Sequence, residues 1–441
     1  MKSFSRGKRM NSPPIGLTAQ PTTSAAGLRR TMLVMLGLVS MFNYIDRTVL
    51  SVLQEPIKQE LKLSDGQLGL LTGLAFALFY ATLSLPIARL ADRFNRRNII
   101  AASIATWSGM TALSGLATGF GSLVAFRIGV ALGEAGSVPA SHSIIADYYP
   151  PEKRVTALAL WGLALPAGIM LGYASGGWIA AALGWRLAFG VIGVAGLALA
   201  PLVLLLVREP KRTGSGLSMQ AETAPPLGEA IRFLWRLRTY RYMLIGTTLH
   251  AFAQYAMMSW SAPFYMRVHD MPLADVASWL ALMNGLGGGI GIYLGGRLSD
   301  AAGSRDPAGR VWVSAVAMLL MVPAALLQFL IPSLTASLVF GFVATMLMFF
   351  YYGPIIGVPQ SVVPPRIRAL TSAVTLLVFN LFGLGLGPAV TGFLSDHLAA
   401  ADGMHDISLR YALSVVVLFS LAGAGSIAWA SRFYASDLTE H

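Results

Sequence analysis

Runs of about twenty apolar residues recur along this 441-residue chain, and they leave it few ways to fold. A hydrocarbon core about 30 Å thick takes roughly twenty helical residues to cross, and backbone polar groups inside it must be paired within the segment. Twelve spans are predicted, near 31–53, 66–88, 98–117, 121–146, 154–182, 185–207, 240–267, 273–297, 310–331, 334–360, 369–395 and 409–432. Composition agrees, with 55% hydrophobic and 12% charged residues. A soluble domain averages about 25% charge. The expected fold is an all-α membrane protein of twelve transmembrane helices. Cysteine is absent, which excludes disulfides, a thiol nucleophile and a Cys-based metal site.

The formal net charge is +12, and its placement gives its meaning. Taking the N-terminal tail and every second loop as one side collects 25 Lys and Arg, against 5 on the other. That asymmetry places both termini in the cytoplasm, so nucleic-acid binding is not needed to explain the basic excess. Residues 1–30 and 433–441 read as cytoplasmic tails; the basic first tail precedes a span without a cleavage pattern, which is expected to stay as a membrane helix. The segment 208–239, with Pro225-Pro226, reads as a cytoplasmic linker holding an interfacial helix over Ala230–Arg238. Gln54 to Asp65 reads as a short polar loop ending in a Ser64 helix cap.

An internal repeat divides the chain. The turn after the second span, Ala88-Arg89-Leu90-Ala91-Asp92-Arg93-Phe94-Asn95-Arg96-Arg97, returns as Gly296-Arg297-Leu298-Ser299-Asp300. Leu63-Ser64-Asp65 is echoed by Leu273-Ala274-Asp275, and Gly392-Phe393-Leu394-Ser395-Asp396 makes a weaker third copy. A repeat at half the chain length implies two pseudo-symmetric six-helix bundles, 31–207 and 240–432. Asp92, Arg93, Arg96, Arg97 and Asp300 form the expected conformational-switch turn, and a purely topogenic turn is the simpler alternative.

Ionisable residues inside the spans are few. Asp46 and Arg47 sit side by side in the first span, where burying a charge costs at least about 2.5–3.5 kcal/mol. In the fourth span Arg127, Glu134 and Ser141 are seven apart and share a face, with Ser137 beside them and Pro139 predicting a bend beyond Glu134. Their depths predict the pairs Asp46–Arg127 and Glu134–Arg47. The functional reading is a proton-handling or substrate-handling site, and a self-neutralising lock between helices is the alternative. The second half offers His250, Gln254 and Tyr255 on the seventh span and Phe349 and Tyr352 on the tenth, a soft aromatic surface that packing alone also explains. Gly162 to Gly172 of the fifth span reads as a flexible or closely packed helix, and Gly184-Trp185-Arg186 as an interfacial anchor. Ser137, Ser141 and His142 lack a third orienting group, so no activated nucleophile is expected and no enzyme.

The Ala88–Arg97 turn, its copy at Gly296–Asp300, and the stretches 127–135 and 162–172 resemble the major facilitator superfamily over 31–432, with Ala88 and Asn95 where that turn usually has Gly. Asn43-Tyr44-Ile45-Asp46-Arg47, Gly133-Glu134-Ala135 and Ile144-Ile145-Ala146-Asp147-Tyr148-Tyr149 are most similar to the spinster-like transporters of lysolipids and sphingosine-1-phosphate. The resemblance implies a proton-coupled, alternating-access carrier of a lipid-like substrate in a bacterial inner membrane, working as a monomer without metal or cofactor. It implies Asp46 and Glu134 as the titrating pair, Arg47 and Arg127 at a gate or head group, and a cavity lined by Asn43, Tyr44, Ser137, Ser141, His250, Gln254, Tyr255, Phe349 and Tyr352. The alternative is a symporter of small organic anions such as sugar acids, which share the Asn-Tyr-x-Asp-Arg segment.

Overall fold

A computed structural model describes residues 23–210, 227–364, 367–402 and 407–439, and among them the chain is helical with no strand. The first half comprises α1 (Thr23–Leu61), α2 (Asp65–Thr72), α3 (Leu74–Arg93), α4 (Arg96–Ser114), α5 (Phe120–Glu134), α6 (Ser137–Tyr148), α7 (Pro151–Gly162), α8 (Ala164–Leu183) and α9 (Trp185–Leu206). A short α10 (Leu227–Arg236) precedes the second half: α11 (Arg238–Val268), α12 (Leu273–Leu282), α13 (Gly288–Gly303), α14 (Gly309–Leu330), α15 (Leu334–Met348), α16 (Tyr352–Ser361), α17 (Arg368–Val378), α18 (Gly387–Asp402), α19 (Ser408–Val417) and α20 (Phe419–Thr439). Ten helical stretches among the described residues are long and apolar enough to cross a membrane. The other two expected spans are α4 and α11, helices whose polar residues point inward: Ser108 and Thr111 in one, His250, Gln254 and Ser259 in the other, all buried.

Several spans are broken. Met283–Gly287 and Phe379–Leu386 are π-helical turns joining α12 to α13 and α17 to α18. The fourth span breaks at Ala135-Gly136, directly after Glu134 and ahead of the bend expected at Pro139. Pro139 instead lies in the first turn of α6, where its missing N–H costs no helical bond. Glycines set the close approaches: a Cβ on Gly168 of α8 would come within 2.6 Å of the Met41 carbonyl of α1, and one on Gly133 within 2.6 Å of the Trp107 nitrogen of α4.

Three expected boundaries move, each where a polar group has a partner. Residues 1–22 of the expected tail lie outside the described residues, but α1 begins at Thr23 rather than 31, with Tyr149 donating to the Arg29 carbonyl at 3.2 Å. The loop expected from Gln54 is helix as far as Leu61, with Gln54 and Glu55 buried against α11; Ser64 then forms a capping box with Gln67. The last helix runs to Thr439, past the expected end at 432, and Asp437 accepts from the Thr239 amide at the start of α11 at 2.9 Å. Trp185 is a buried tie, not an interfacial anchor: its Nε1 donates to Glu60 at 2.6 Å, while Arg186 donates to Glu60 and to the Gly115 and Ala117 carbonyls. Within the linker, 211–226 lies outside the described residues, and α10 buries Ala230 and Leu234 while exposing Ile231 and Trp235.

Among the described residues, the hydrogen bonds and ion pairs that join the halves gather at the end of the molecule away from the chain termini, the far end. Arg267, at the end of α11, donates to both carboxylate oxygens of Asp65 at 2.8 and 2.9 Å and to Glu55 at 2.6 Å. Lys58 adds a bond to Asp65 at 2.7 Å. Asp396 accepts from the Asp65 and Gly66 amides, at 2.9 and 2.7 Å, satisfying unpaired donors at the start of α2. The Ser395-Asp396 copy of the turn motif therefore does not work as a turn at all; it clasps the other half at the far end.

Candidate functional site

Four charged side chains of the first half meet at mid-depth. Arg47 Nε donates to Glu134 Oε2 at 2.7 Å, and Arg127 Nη1 to Asp46 Oδ2 at 3.4 Å. Neighbours on α1 point 100° apart, so Asp46 and Arg47 reach two residues of α5 that lie seven apart, roughly 10 Å along the axis. Asp46, Arg127 and Glu134 are 3%, 4% and 0% exposed, deep enough that any lost partner leaves a bare charge. Asp46 also accepts from the Thr111 hydroxyl of α4, so both its oxygens are engaged. Glu134 differs: Oε1 is buried and has no hydrogen-bond partner among the described residues. Arg47 and Arg127 both turn toward the cavity, Arg47 being the less buried of the two. The Arg47 guanidinium carbon lies 4.8 Å from the ring centres of both Phe76 and Tyr80, and that of Arg127 lies 5.2 Å from Phe76.

The cavity before these groups is two-sided. Arg47, Thr48, Ser51 and Thr72 give it polar atoms, while Phe76, Ile169, Met258, Phe349 and Leu384 give it apolar wall; Tyr44, Gln254, Tyr255 and Tyr352 also line it. Its free volume is ≈ 70 Å³. Tyr352 also walls a second, apolar cavity of ≈ 80 Å³ with Ile355, Leu376 and Phe379. On the far side the floor is hydrogen-bonded across the halves, Gln54 to Ser259 Oγ at 2.8 Å and Ser259 to Thr72 at 3.0 Å, with Tyr173 donating to the Met258 carbonyl at 2.6 Å.

Of the expected lining residues, Tyr44, Gln254, Tyr255, Phe349 and Tyr352 face the cavity, and so does Arg127. Asn43, Ser137, Ser141 and His250 do not; each is at most 2% exposed and packed between helices. His250 has a structural task. The break between α15 and α16 frees the Met348 carbonyl, which His250 Nε2 meets at 3.0 Å. A carbonyl only accepts, so that nitrogen carries the proton and Nδ1 accepts from Ser420 at 3.1 Å. In the expected switch turn, Arg96 is buried and bound to Asp147 at 2.6 Å and Glu209 at 2.8 Å, and Asn95 caps α4 through the Asn98 amide. Arg97 holds Glu209 by its backbone amide, Asp300 is exposed, and the side chains of Asp92 and Arg93 lie outside the described residues. Sequence reasoning missed Thr111, Phe76, Tyr80 and the entire Arg267 cluster. Phe76 and Tyr80 carried an i, i+4 signal; Asp65 and Arg267, 202 residues apart, carried none.

Comparison with known proteins gives concordant results. The Major Facilitator Superfamily model matches residues 36–388. An MFS-type efflux pump of Mycolicibacterium smegmatis is 34% identical over 409 residues, covering 92% of this chain and 93% of that one. The probable galactarate/D-glucarate transporter GudP of Bacillus subtilis is 32% identical over 306 residues, 64% of this chain and 66% of that one. Among solved structures, a bacterial homolog to the human lysosomal transporter spinster, inward-facing and unoccupied, superposes with a TM-score of 0.83 at 33% identity, covering 93% of this chain and 98% of that one.

Proposed function

The chain belongs to the major facilitator superfamily, in its spinster-like branch, as a transporter and not an enzyme, and from that premise we propose that it couples protons to the movement of an amphipathic, lipid-like anion or zwitterion. The observation that carries the reading is Arg47, shared between a buried carboxylate and a cavity whose other wall is apolar. Glu134 Oε1 is the natural seat for a proton, because it is buried and unpaired while both oxygens of Asp46 are engaged. A proton there cancels the charge that holds Arg47. The guanidinium, cradled by Phe76 and Tyr80, is then free to take a phosphate or other anionic head, and the chain of the substrate lies against Tyr255, Phe349 and Tyr352. The small free volume makes side-chain parting around Tyr352 part of loading, opening the cavity toward its apolar neighbour.

A clasp at the far end fits a state open toward the termini, as in the inward-facing spinster homolog, and the basic excess on that side supports our reading of it as the cytoplasmic side of a bacterial inner membrane. Transport then proceeds by rocking of bundles 31–207 and 240–432 as a monomer. The likeness to GudP keeps a sugar-acid symporter as the second reading, with Arg47 and Arg127 clamping a carboxylate. Proteoliposome flux of labelled lysophospholipid and labelled sugar acid, with and without a pH gradient, decides between them. Lysophospholipid flux that follows the gradient and falls at least about tenfold in Glu134→Gln, equivalent to roughly 1.4 kcal/mol, is expected; sugar-acid flux alone transfers the case to the second reading.

A further inference from the structure

A groove on the outer surface of the second half, away from the central cavity, has the form of a lipid seat. It measures ≈ 610 Å³ and lies between α13, α14 and α15, walled by Leu298, Trp312, Val316, Leu320 and Leu347, with Arg305 at its mouth. The walls stay largely uncovered: Leu298, Trp312, Val316 and Leu320 are 50%, 48%, 45% and 52% exposed. In a membrane-spanning chain such a surface meets hydrocarbon. From Gly309 to Leu320 it runs roughly 16 Å at 1.5 Å per residue, about half of a 30 Å hydrocarbon core. The break in the tenth span at Phe349–Tyr351 falls at its inner end, so in a membrane the groove would begin near one surface and reach about half-way across. One leaflet's acyl chain has that length.

The mouth supplies the charge. In the first half the corresponding turn buries Arg96 against Asp147 and Glu209. Arg305 has no such acid: it is exposed and makes no side-chain hydrogen bond or ion pair among the described residues. Asp306 beside it is turned into its own loop, accepting from the Ala308 amide at 3.0 Å. Arg297 and Arg310 are exposed alongside, against one further acid, Asp300. Guanidinium groups match phosphate geometry, and tryptophan favours the level of the head groups. We infer that this groove holds one anionic glycerophospholipid, its phosphate on Arg305 and an acyl chain along α14 as far as Leu320.

The test is native mass spectrometry of the full chain in neutral detergent, titrated with phosphatidylglycerol or with phosphatidylcholine of the same acyl chains. One phosphatidylglycerol is expected to be retained at several-fold lower concentration than phosphatidylcholine. Arg305→Gln is expected to bring the two together, and Val316→Trp, which fills the groove, to weaken both. Equal retention of the two lipids by the unaltered chain overturns the inference without any variant having to fold. So does an Arg305→Gln variant that keeps the preference, or a lipid-free dimer as the species that Val316→Trp disrupts. None of these residues lines the central cavity, so transport assays on Glu134→Gln are independent of the outcome.

Discussion

The charged cluster at mid-depth and the one at the far end use the same residue types but are joined differently. Asp46, Arg47, Arg127 and Glu134 all belong to the first half, so their pairs hold whether the halves rock or not. At the far end Glu55 and Asp65 of the first half are bound by Arg267 and Asp396 of the second, so those bonds must break for that end to open. On the proposed reading, one cluster senses and the other latches. Both hang from α1, with Asp46 and Glu55 nine residues apart, roughly 14 Å along one helix. On that reading, α1, which carries members of both clusters, is the element through which a change of charge at the centre would reach the latch.

Three experiments break or sharpen that contrast. Removing one partner of a buried pair has the largest expected effect: Arg127→Met leaves Asp46 charged and buried, at a cost of about 3–5 kcal/mol. Thermal unfolding in detergent reads this as a large drop in midpoint, and adding Asp46→Asn should restore most of it. A double variant no more stable than the single one would show that the pair is not coupled. Next, Arg267→Gln strips three charged bonds from the latch and should shift the balance of states about tenfold, equivalent to roughly 1.4 kcal/mol. Because the chain has no cysteine, spin labels at Gln59→Cys and Asp275→Cys report it directly as a growing population of longer distances. The same labels should show no such growth in Thr111→Val, and equal growth in both variants would erase the distinction between sensing and latching. Thr111→Val itself removes one hydrogen bond to the Asp46 carboxylate and is expected to move the balance of states least, shifting the pH profile of flux while leaving its direction of response intact.

The far-end cluster also marks where reading the sequence stopped. A polar run after the first span looked like a loop because Gln54, Glu55 and Lys58 had no visible partners; Arg267 and Ser259, two hundred residues on, make it helix. Ser395-Asp396 looked like a copy of the switch turn because local pattern carries no information about which membrane face a motif meets across the halves. The resemblance implied that His250 lines the cavity, whereas its residue context reads as a hydrogen-bonded core histidine; the helix break on another span bears out the second.

What the chain determined by itself follows from interactions that are local or one-dimensional. Apolar run length fixed the helical, membrane-spanning fold, the repeat fixed the relation of the halves, and the cost of buried charge singled out Asp46, Arg47, Arg127 and Glu134 with their depths. The tertiary structure decided which oxygen of which carboxylate is left unpaired, which residues face the cavity, and how the far end is shut. Those depend on side chains converging from helices hundreds of residues apart, and spacing along a sequence does not encode that distance.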